Sequence, residues 1–200
     1  MQSPVSFYFD FSSPYSYIAS EWIEALAARH GRTVRWQAIL LGATFQATGL
    51  RPPVDFPLKR EYALRDFARS ARLEGIPYQQ PVPFPIATQN AARIFWWLHA
   101  QDADRATAWA HAALRAYFTG GVRLDDAAAL RKLAERAGID ANDAEAAWAD
   151  PQWKLRLKQA NEEALAAGVF GAPWFVVDGE PFWGNDRKPQ VERWLAGDRF

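Results

Sequence analysis

The chain has 200 residues, enough for one domain or for one domain with a large insertion. Its 23 Lys and Arg residues balance 23 Asp and Glu residues, and no basic block stands out, so nucleic acid is not expected as a partner. The chain contains no cysteine, which excludes disulfides, thiolate metal sites and cysteine nucleophiles.

Membrane, secretion and metal signals are also missing from the sequence. No apolar run approaches the ~18 residues typical of a membrane span. The segment Met1–Pro4 lacks the basic and apolar regions of a secretory signal, so we expect a cytoplasmic protein without a membrane partner. The three histidines show no metal-ligand spacing, and we expect structural roles for them and no metal site (His30, His99 and His111).

The first forty residues predict a β-α-β unit. Alternating apolar residues predict a strand over residues 5–11, and a helical pattern follows over 14–29, with Pro14 in its first turn. Residues 33–40 predict a second strand. Two such strands joined through a helix are expected to be parallel with a right-handed crossover.

The middle of the chain changes character. Residues 42–57 are rich in Gly, Pro and Thr and predict a loop. Five alanine-rich helical patterns follow, at 57–73, 86–101, 104–118, 125–137 and 141–149. We interpret the aromatic side chains of this block as helix-packing core rather than as a ligand platform.

The last fifty residues return to an α/β pattern. A helix is predicted over 151–167, a strand over 174–177, a hairpin turn at Asp178-Gly179 and a second strand over 180–183. A last helix follows, with Asn185 or Asp186 as its cap.

This order predicts an α/β, thioredoxin-like fold with an all-helical domain inserted after the first β-α-β unit. Residues 1–41 and 152–200 form the predicted discontinuous thioredoxin-like domain. Residues 42–151 form the predicted helical insertion.

The segment Ser13-Pro14-Tyr15-Ser16 has the shape of a Cys-Pro-x-Cys redox motif with serine at both cysteine positions. It lies where a strand ends and a helix begins, and unpaired N–H groups at such a place stabilise an anion, a thiolate in particular. Because the chain has no thiol, a functional Ser13 would donate a hydrogen bond to the thiolate of another molecule. The alternative is that Ser13 only caps the helix. A serine nucleophile is disfavoured, since no histidine has the spacing of its base.

Two later segments complete a possible site. A cis bond before Pro173 would present the backbone of Ala172 to an extended peptide, although an ordinary strand-entry proline is the alternative. In the turn Trp183-Gly184-Asn185-Asp186, the Asp186 carboxylate is suited to an ammonium group. Glutathione combines a thiol, an extended peptide body and a γ-glutamyl end, so the three segments together predict a glutathione site.

With these residues the chain resembles the 2-hydroxychromene-2-carboxylate isomerase family, which is related to kappa-class glutathione transferases and DsbA-type oxidoreductases. The resemblance covers essentially the whole length. It is carried by residues 7–17, the segment 40–49, Tyr62, Asp66 and Arg69, Gly171-Ala172-Pro173, and residues 183–187.

The resemblance implies a cytoplasmic, homodimeric, glutathione-dependent isomerase of aromatic catabolism. It would interconvert 2-hydroxychromene-2-carboxylate and trans-o-hydroxybenzylidenepyruvate by reversible addition of the glutathione thiolate to an unsaturated carbon. By the same resemblance, Ser13 is the catalytic serine that holds the sulfur, and the backbone at Ala172-Pro173 pairs with the tripeptide. Residues 183–186 receive the γ-glutamyl end.

On the substrate side the chain departs from the family pattern. Gln46 stands where members often carry lysine, and Leu50 where they often carry asparagine. Arg51 remains as a cation, and Phe84 matches an aromatic position of the substrate pocket.

Two alternatives to the isomerase stay open. One is a kappa-like glutathione transferase acting on another hydrophobic electrophile. The other is a catalytically silent thioredoxin-like binding module. A disulfide oxidoreductase is excluded, because the cysteines it needs are absent.

Overall fold

A computed structural model describes residues 3–200. Met1 and Gln2 lie outside the described residues. They are the first residues of the predicted thioredoxin-like segment and of the N-terminus predicted to lack a secretory signal. One sheet has the strand order β2-β1-β3-β4, built from β1 (Val5–Phe9), β2 (Val34–Ala38), β3 (Trp174–Val177) and β4 (Glu180–Trp183). β1 and β2 are parallel, as predicted, while β3 runs antiparallel to both β1 and β4.

Helices follow the predicted order around this sheet. They are α1 (Pro14–Ser20), α2 (Ile23–Arg29), α3 (Leu41–Thr48), α4 (Pro57–Leu73), α5 (Gln89–His99), α6 (Ala103–Gly120), α7 (Ala127–Arg136), α8 (Ala141–Ala149), α9 (Pro151–Ala166) and α10 (Lys188–Leu195). The five predicted helices of the middle block are confirmed as α4 to α8, with ends that differ by up to three residues. The division into a helical insertion and a discontinuous domain stays a prediction.

The prediction of one helix over 14–29 is wrong. The chain leaves helical geometry between α1 and α2, where Trp22 has a φ of −122°. The Trp22 indole is drawn into the interior, where its Nε1 donates to Asn185 Oδ1 at 2.8 Å and its ring centroid lies 5.2 Å from that of Phe175. These partners lie more than 150 residues away, so the helical periodicity does not reveal the break.

The prediction of a loop over 42–57 is also wrong in its first half, which forms α3. Two side chains from distant segments hold the amides that begin this helix. Leu40 N donates to Asn161 Oδ1 at 2.8 Å, and Leu41 N donates to Asp10 Oδ2 at 2.7 Å. The helix ends at Gly49, whose φ of 72° favours glycine. Tertiary hydrogen bonds thus override the weak helix propensity of the segment.

One hydrophobic core extends from the sheet into the helical block. Phe7 and Phe9 of β1 are fully buried, and the Phe9 ring lies 5.4 Å from that of Phe95 on α5. Five of the six aromatics interpreted as packing residues are buried, and the sixth, Trp97, is half-buried (Phe95, Trp96, Trp97, Trp109, Tyr117 and Trp148). Among the helices of residues 3–200, none combines the length and apolar character needed to cross a membrane.

Candidate active site

Ser13 is the N-cap of α1, and its side chain has two partners. Its Oγ accepts a hydrogen bond from Ser16 N at 3.1 Å and donates one to the carbonyl oxygen of Ala172 at 3.3 Å. A hydroxyl has one donor and two acceptor positions, so the cap uses an acceptor position and not the proton, which here goes to the Ala172 carbonyl. The capping alternative is therefore correct in part, and it is compatible with a second role.

The Ala172–Pro173 peptide bond is cis. Within residues 3–200, the Ala172 N–H makes no hydrogen bond, and the Ala172 carbonyl accepts only from Ser13. Pro173 O accepts from Gly184 N at 3.0 Å, which ties this loop to the turn after β4. The loop thus leaves the N–H group of Ala172 without a partner within residues 3–200.

Trp183 lies against the loop that carries Ala172. A Cβ atom on Gly171 would come within 2.5 Å of Trp183 Nε1, so this close approach requires glycine. The indole is 53% exposed, and its centroid lies 4.8 Å from the ring of Phe170. Trp183 therefore supports the loop with its side chain.

The turn after β4 presents the carboxylate of Asp186. Gly184 has a φ of 108°, and a Cβ there would lie 2.5 Å from Asp186 Oδ1. The Asp186 side chain is 71% exposed and pairs with Arg187 Nη2 at 2.5 Å. The predicted cap by Asn185 or Asp186 is wrong, because a 3-10 turn precedes α10 and neither side chain caps it. Asn185 instead accepts the hydrogen bond from Trp22.

Tyr15 connects the serine turn, residues 12–16, to the helical block. Its hydroxyl donates to Asp66 of α4, which also accepts from Arg69. Burial and the Asp66 carboxylate raise the pKa of Tyr15, so its hydroxyl stays protonated and donates. The charge of Asp186 acts in the same direction on this pKa. The Tyr15–Asp66 bond spans 51 residues, and no local pattern predicts it.

Asp10 lies beside Ser13 and was not singled out from the sequence as a candidate site residue. It is 3% exposed at the carboxyl end of β1. Its carboxylate accepts from Ser12 N at 2.5 Å, Leu41 N at 2.7 Å and Thr88 Oγ1 at 3.5 Å. Burial raises the pKa of Asp10 to about 6 in spite of these bonds, each of which lowers it. The sequence pattern that could have revealed Asp10 is a single acidic residue between the apolar residues Phe9 and Phe11.

Phe84 is connected to Tyr15 through the ring of Phe67. Its ring centroid is 5.8 Å from that of Phe67, and the Phe67 centroid is 5.0 Å from that of Tyr15. Two residues on, Ile86 N donates to Ser12 Oγ at 3.3 Å. These contacts bring an aromatic cluster, formed by Tyr15, Phe67 and Phe84, to the N-terminal end of α1.

The other predicted substrate residues lie on or just after α3. Gln46 and Leu50 are exposed, and the Arg51 guanidinium lies 4.7 Å from the ring centroid of Phe56. No carboxylate pairs with Arg51 in the part of the chain that the structure describes. Within residues 3–200, none of these side chains makes a hydrogen bond with Ser13. The start of α3 is joined to the serine turn through Asp10.

Comparison with known proteins assigns the fold. A family model described as a DSBA-like thioredoxin domain matches residues 4–196. The 2-hydroxychromene-2-carboxylate isomerase of Sphingobium xenophagum is 32% identical over 98% of this chain and 99% of the relative. A solved 2-hydroxychromene-2-carboxylate isomerase structure is 28% identical, with a TM-score of 0.87 over 96% of this chain and 94% of that one. Glutathione S-transferase kappa 1 of Caenorhabditis elegans is 26% identical, over 92% of this chain and 86% of the relative.

The chain is thus a DsbA-like thioredoxin protein, and the predicted fold class is confirmed. It belongs to the 2-hydroxychromene-2-carboxylate isomerase family. It is therefore an enzyme rather than a silent binding module.

Proposed function

We propose that this protein is a glutathione-dependent isomerase that interconverts 2-hydroxychromene-2-carboxylate and trans-o-hydroxybenzylidenepyruvate. The observation that carries the proposal is the Ser13 hydroxyl, which lies at the start of a helix in a chain without a thiol of its own. The similarity to named isomerases supports the reaction, and the similarity to kappa-class transferases supports glutathione as the source of the thiol.

The residues present fit glutathione at three points. Its sulfur would meet the Ser13 hydroxyl. Its extended peptide body would pair with Ala172, whose N–H has no partner within residues 3–200. The ammonium group of its γ-glutamyl end would meet the exposed carboxylate of Asp186.

When bound, glutathione supplies a thiolate that adds reversibly to an unsaturated carbon of the substrate. Ser13 would transfer its donated hydrogen bond from the Ala172 carbonyl to the sulfur and keep accepting from Ser16 N. A hydrogen bond to a charged acceptor contributes ~1.5–3 kcal/mol, which corresponds to about one to two pKa units of the thiol. The positive end of the α1 dipole acts in the same direction.

On the substrate side, Arg51 is the cation that would receive the substrate carboxylate. The aromatic cluster beside the serine turn would contact the substrate ring. One observation favours a second candidate, a kappa-like transferase for another hydrophobic electrophile. Leu50 is 48% exposed and cannot donate a hydrogen bond to a substrate hydroxyl.

Addition of millimolar glutathione is expected to raise the Tm of the protein, because a ligand that binds only the folded state stabilises it. Glutathione-dependent turnover of hydroxychromene carboxylate should exceed turnover of the generic electrophile chlorodinitrobenzene. The reverse order would assign the transferase activity. A glutathione analogue with hydrogen in place of the thiol is the control for binding without chemistry. Absence of both a Tm shift and turnover would refute the proposal.

Replacing Leu50 with asparagine tests the substrate pocket. An added hydrogen bond contributes ~0.5–1.5 kcal/mol, so isomerase kcat/KM should rise by up to about tenfold relative to turnover of chlorodinitrobenzene. Leu58→Asn is a matched control, because Leu58 is 96% exposed on α4. An equal response of both variants would show that Leu50 does not contact the substrate.

A further inference from the structure

We propose that Asp10 is a positioning residue that couples the serine turn to α3, and so fixes the thiol side of the site relative to its substrate side. This inference rests on the proposed function. The Asp10 carboxylate accepts hydrogen bonds from three segments that are separate in the sequence. They are the serine turn through Ser12, the start of α3 through Leu41, and the start of α5 through Thr88.

The backbone of Asp10 also fixes the turn that carries Ser13. Ser13 N donates to the Asp10 carbonyl at 3.0 Å, and Asp10 N donates to Ser16 Oγ at 3.4 Å. The residue thus contacts the serine turn through both its side chain and its main chain. A reacting group displaced by 1 Å can lose about 100-fold in rate, so small shifts of this turn matter.

The hydrogen bond from Leu41 N to the Asp10 carboxylate also fixes the start of α3. This helix carries Gln46 and leads directly to Leu50 and Arg51, the residues expected to meet the substrate. The preceding amide, Leu40 N, is held independently by Asn161. Asn161 therefore anchors α3 without touching the serine turn, and it provides a matched control for Asp10.

The three bonds are strongest when the carboxyl group is ionised. Ser12 N and Thr88 Oγ1 donate to one oxygen and Leu41 N donates to the other, and a carboxylate accepts more strongly than a neutral carboxyl group. No cation pairs with Asp10 in residues 3–200. Of the elements around it, α6 contributes Tyr117, whose own pKa is raised by burial so that it stays neutral. The arrangement is therefore complete above a pH of about 6 and loosens below it.

The test compares Asp10→Asn with Asn161→Ala in the full chain, with glutathione and hydroxychromene carboxylate. Asp10→Asn should lower kcat about 10- to 100-fold. It should also reduce the ultraviolet absorbance of the bound thiolate at a given pH. Asn161→Ala should retain the thiolate absorbance, although its Tm falls. Thr88→Val removes a bond that lowers the pKa of Asp10, so the acid limb of its kcat profile should move to higher pH.

The inference is overturned if Asp10→Asn keeps wild-type kcat and thiolate absorbance, or if Asn161→Ala reproduces both losses. If Asp10→Asn does not fold, Thr88→Val decides, and an unmoved acid limb overturns the inference. A wild-type protein that does not respond to glutathione would instead refute the proposed function. The two failures are therefore distinguishable.

Discussion

Replacing Ser13 with alanine is expected to lower isomerase turnover by about 100-fold, as the loss of one hydrogen-bond donor to a developing or held anion does in other enzymes. The pKa of the bound glutathione thiol should rise by about one to two units, because the charge-assisted hydrogen bond is lost. Turnover and the pH dependence of thiolate absorbance measure the two effects. The loss of the cap should cost ~1 kcal/mol of stability.

Ser20→Ala is the matched control for this variant. Ser20 lies on the same helix, is 1% exposed, and donates to Tyr17 O at 2.6 Å. Its removal should affect the Tm and leave the thiol pKa unchanged. Unchanged turnover in Ser13→Ala would remove this serine from the mechanism.

Replacing Gly184 with alanine is expected to weaken glutathione binding by at least about tenfold, or ~1.4 kcal/mol. The new Cβ would lie 2.5 Å from Asp186 Oδ1 and displace the carboxylate proposed to meet the ammonium group. The φ of 108° adds backbone strain, because side chains rarely adopt it. Calorimetric titration with glutathione measures the change.

Gly179→Ala separates the collision from the strain. Gly179 has a φ of 88°, and a Cβ there would meet nothing within 4 Å. This variant should lose stability and bind glutathione as the wild type does. Equal losses of affinity in both variants would show that strain in the β-hairpin region, rather than the position of Asp186, controls binding.

Local patterns were sufficient where neighbouring residues determine the structure. The alternation in β1 predicts its inward Phe7 and Phe9, and Asp178-Gly179 predicts the turn between β3 and β4. Ser13 was also found locally, from its place between a strand and a helix. These features depend on periodicity, turn geometry and capping, each of which is determined by a few consecutive residues.

The structural features that the sequence did not predict depend on contacts between distant segments. The helix break at Trp22 follows from its bond to Asn185, and α3 forms where Asp10 and Asn161 hold its first amides. The hydrogen bond from Tyr15 to Asp66 also joins residues that are far apart in the sequence. Ser13 donates to Ala172, 159 residues away; the sequence predicted that the two segments share a site, through the chain order of the fold and the family resemblance, but not this hydrogen bond.

If glutathione binds as proposed, the bond between Ser13 and the Ala172 carbonyl would make the partner of the serine hydroxyl depend on whether the thiol is ionised. A carbonyl oxygen is a better acceptor than a neutral thiol sulfur, and a weaker one than an anion. The hydroxyl would therefore leave the Ala172 carbonyl only for a deprotonated sulfur. Loss of the thiol proton and hydrogen bonding by the serine would then occur together, and a thiol that stays protonated would bind without the serine hydrogen bond.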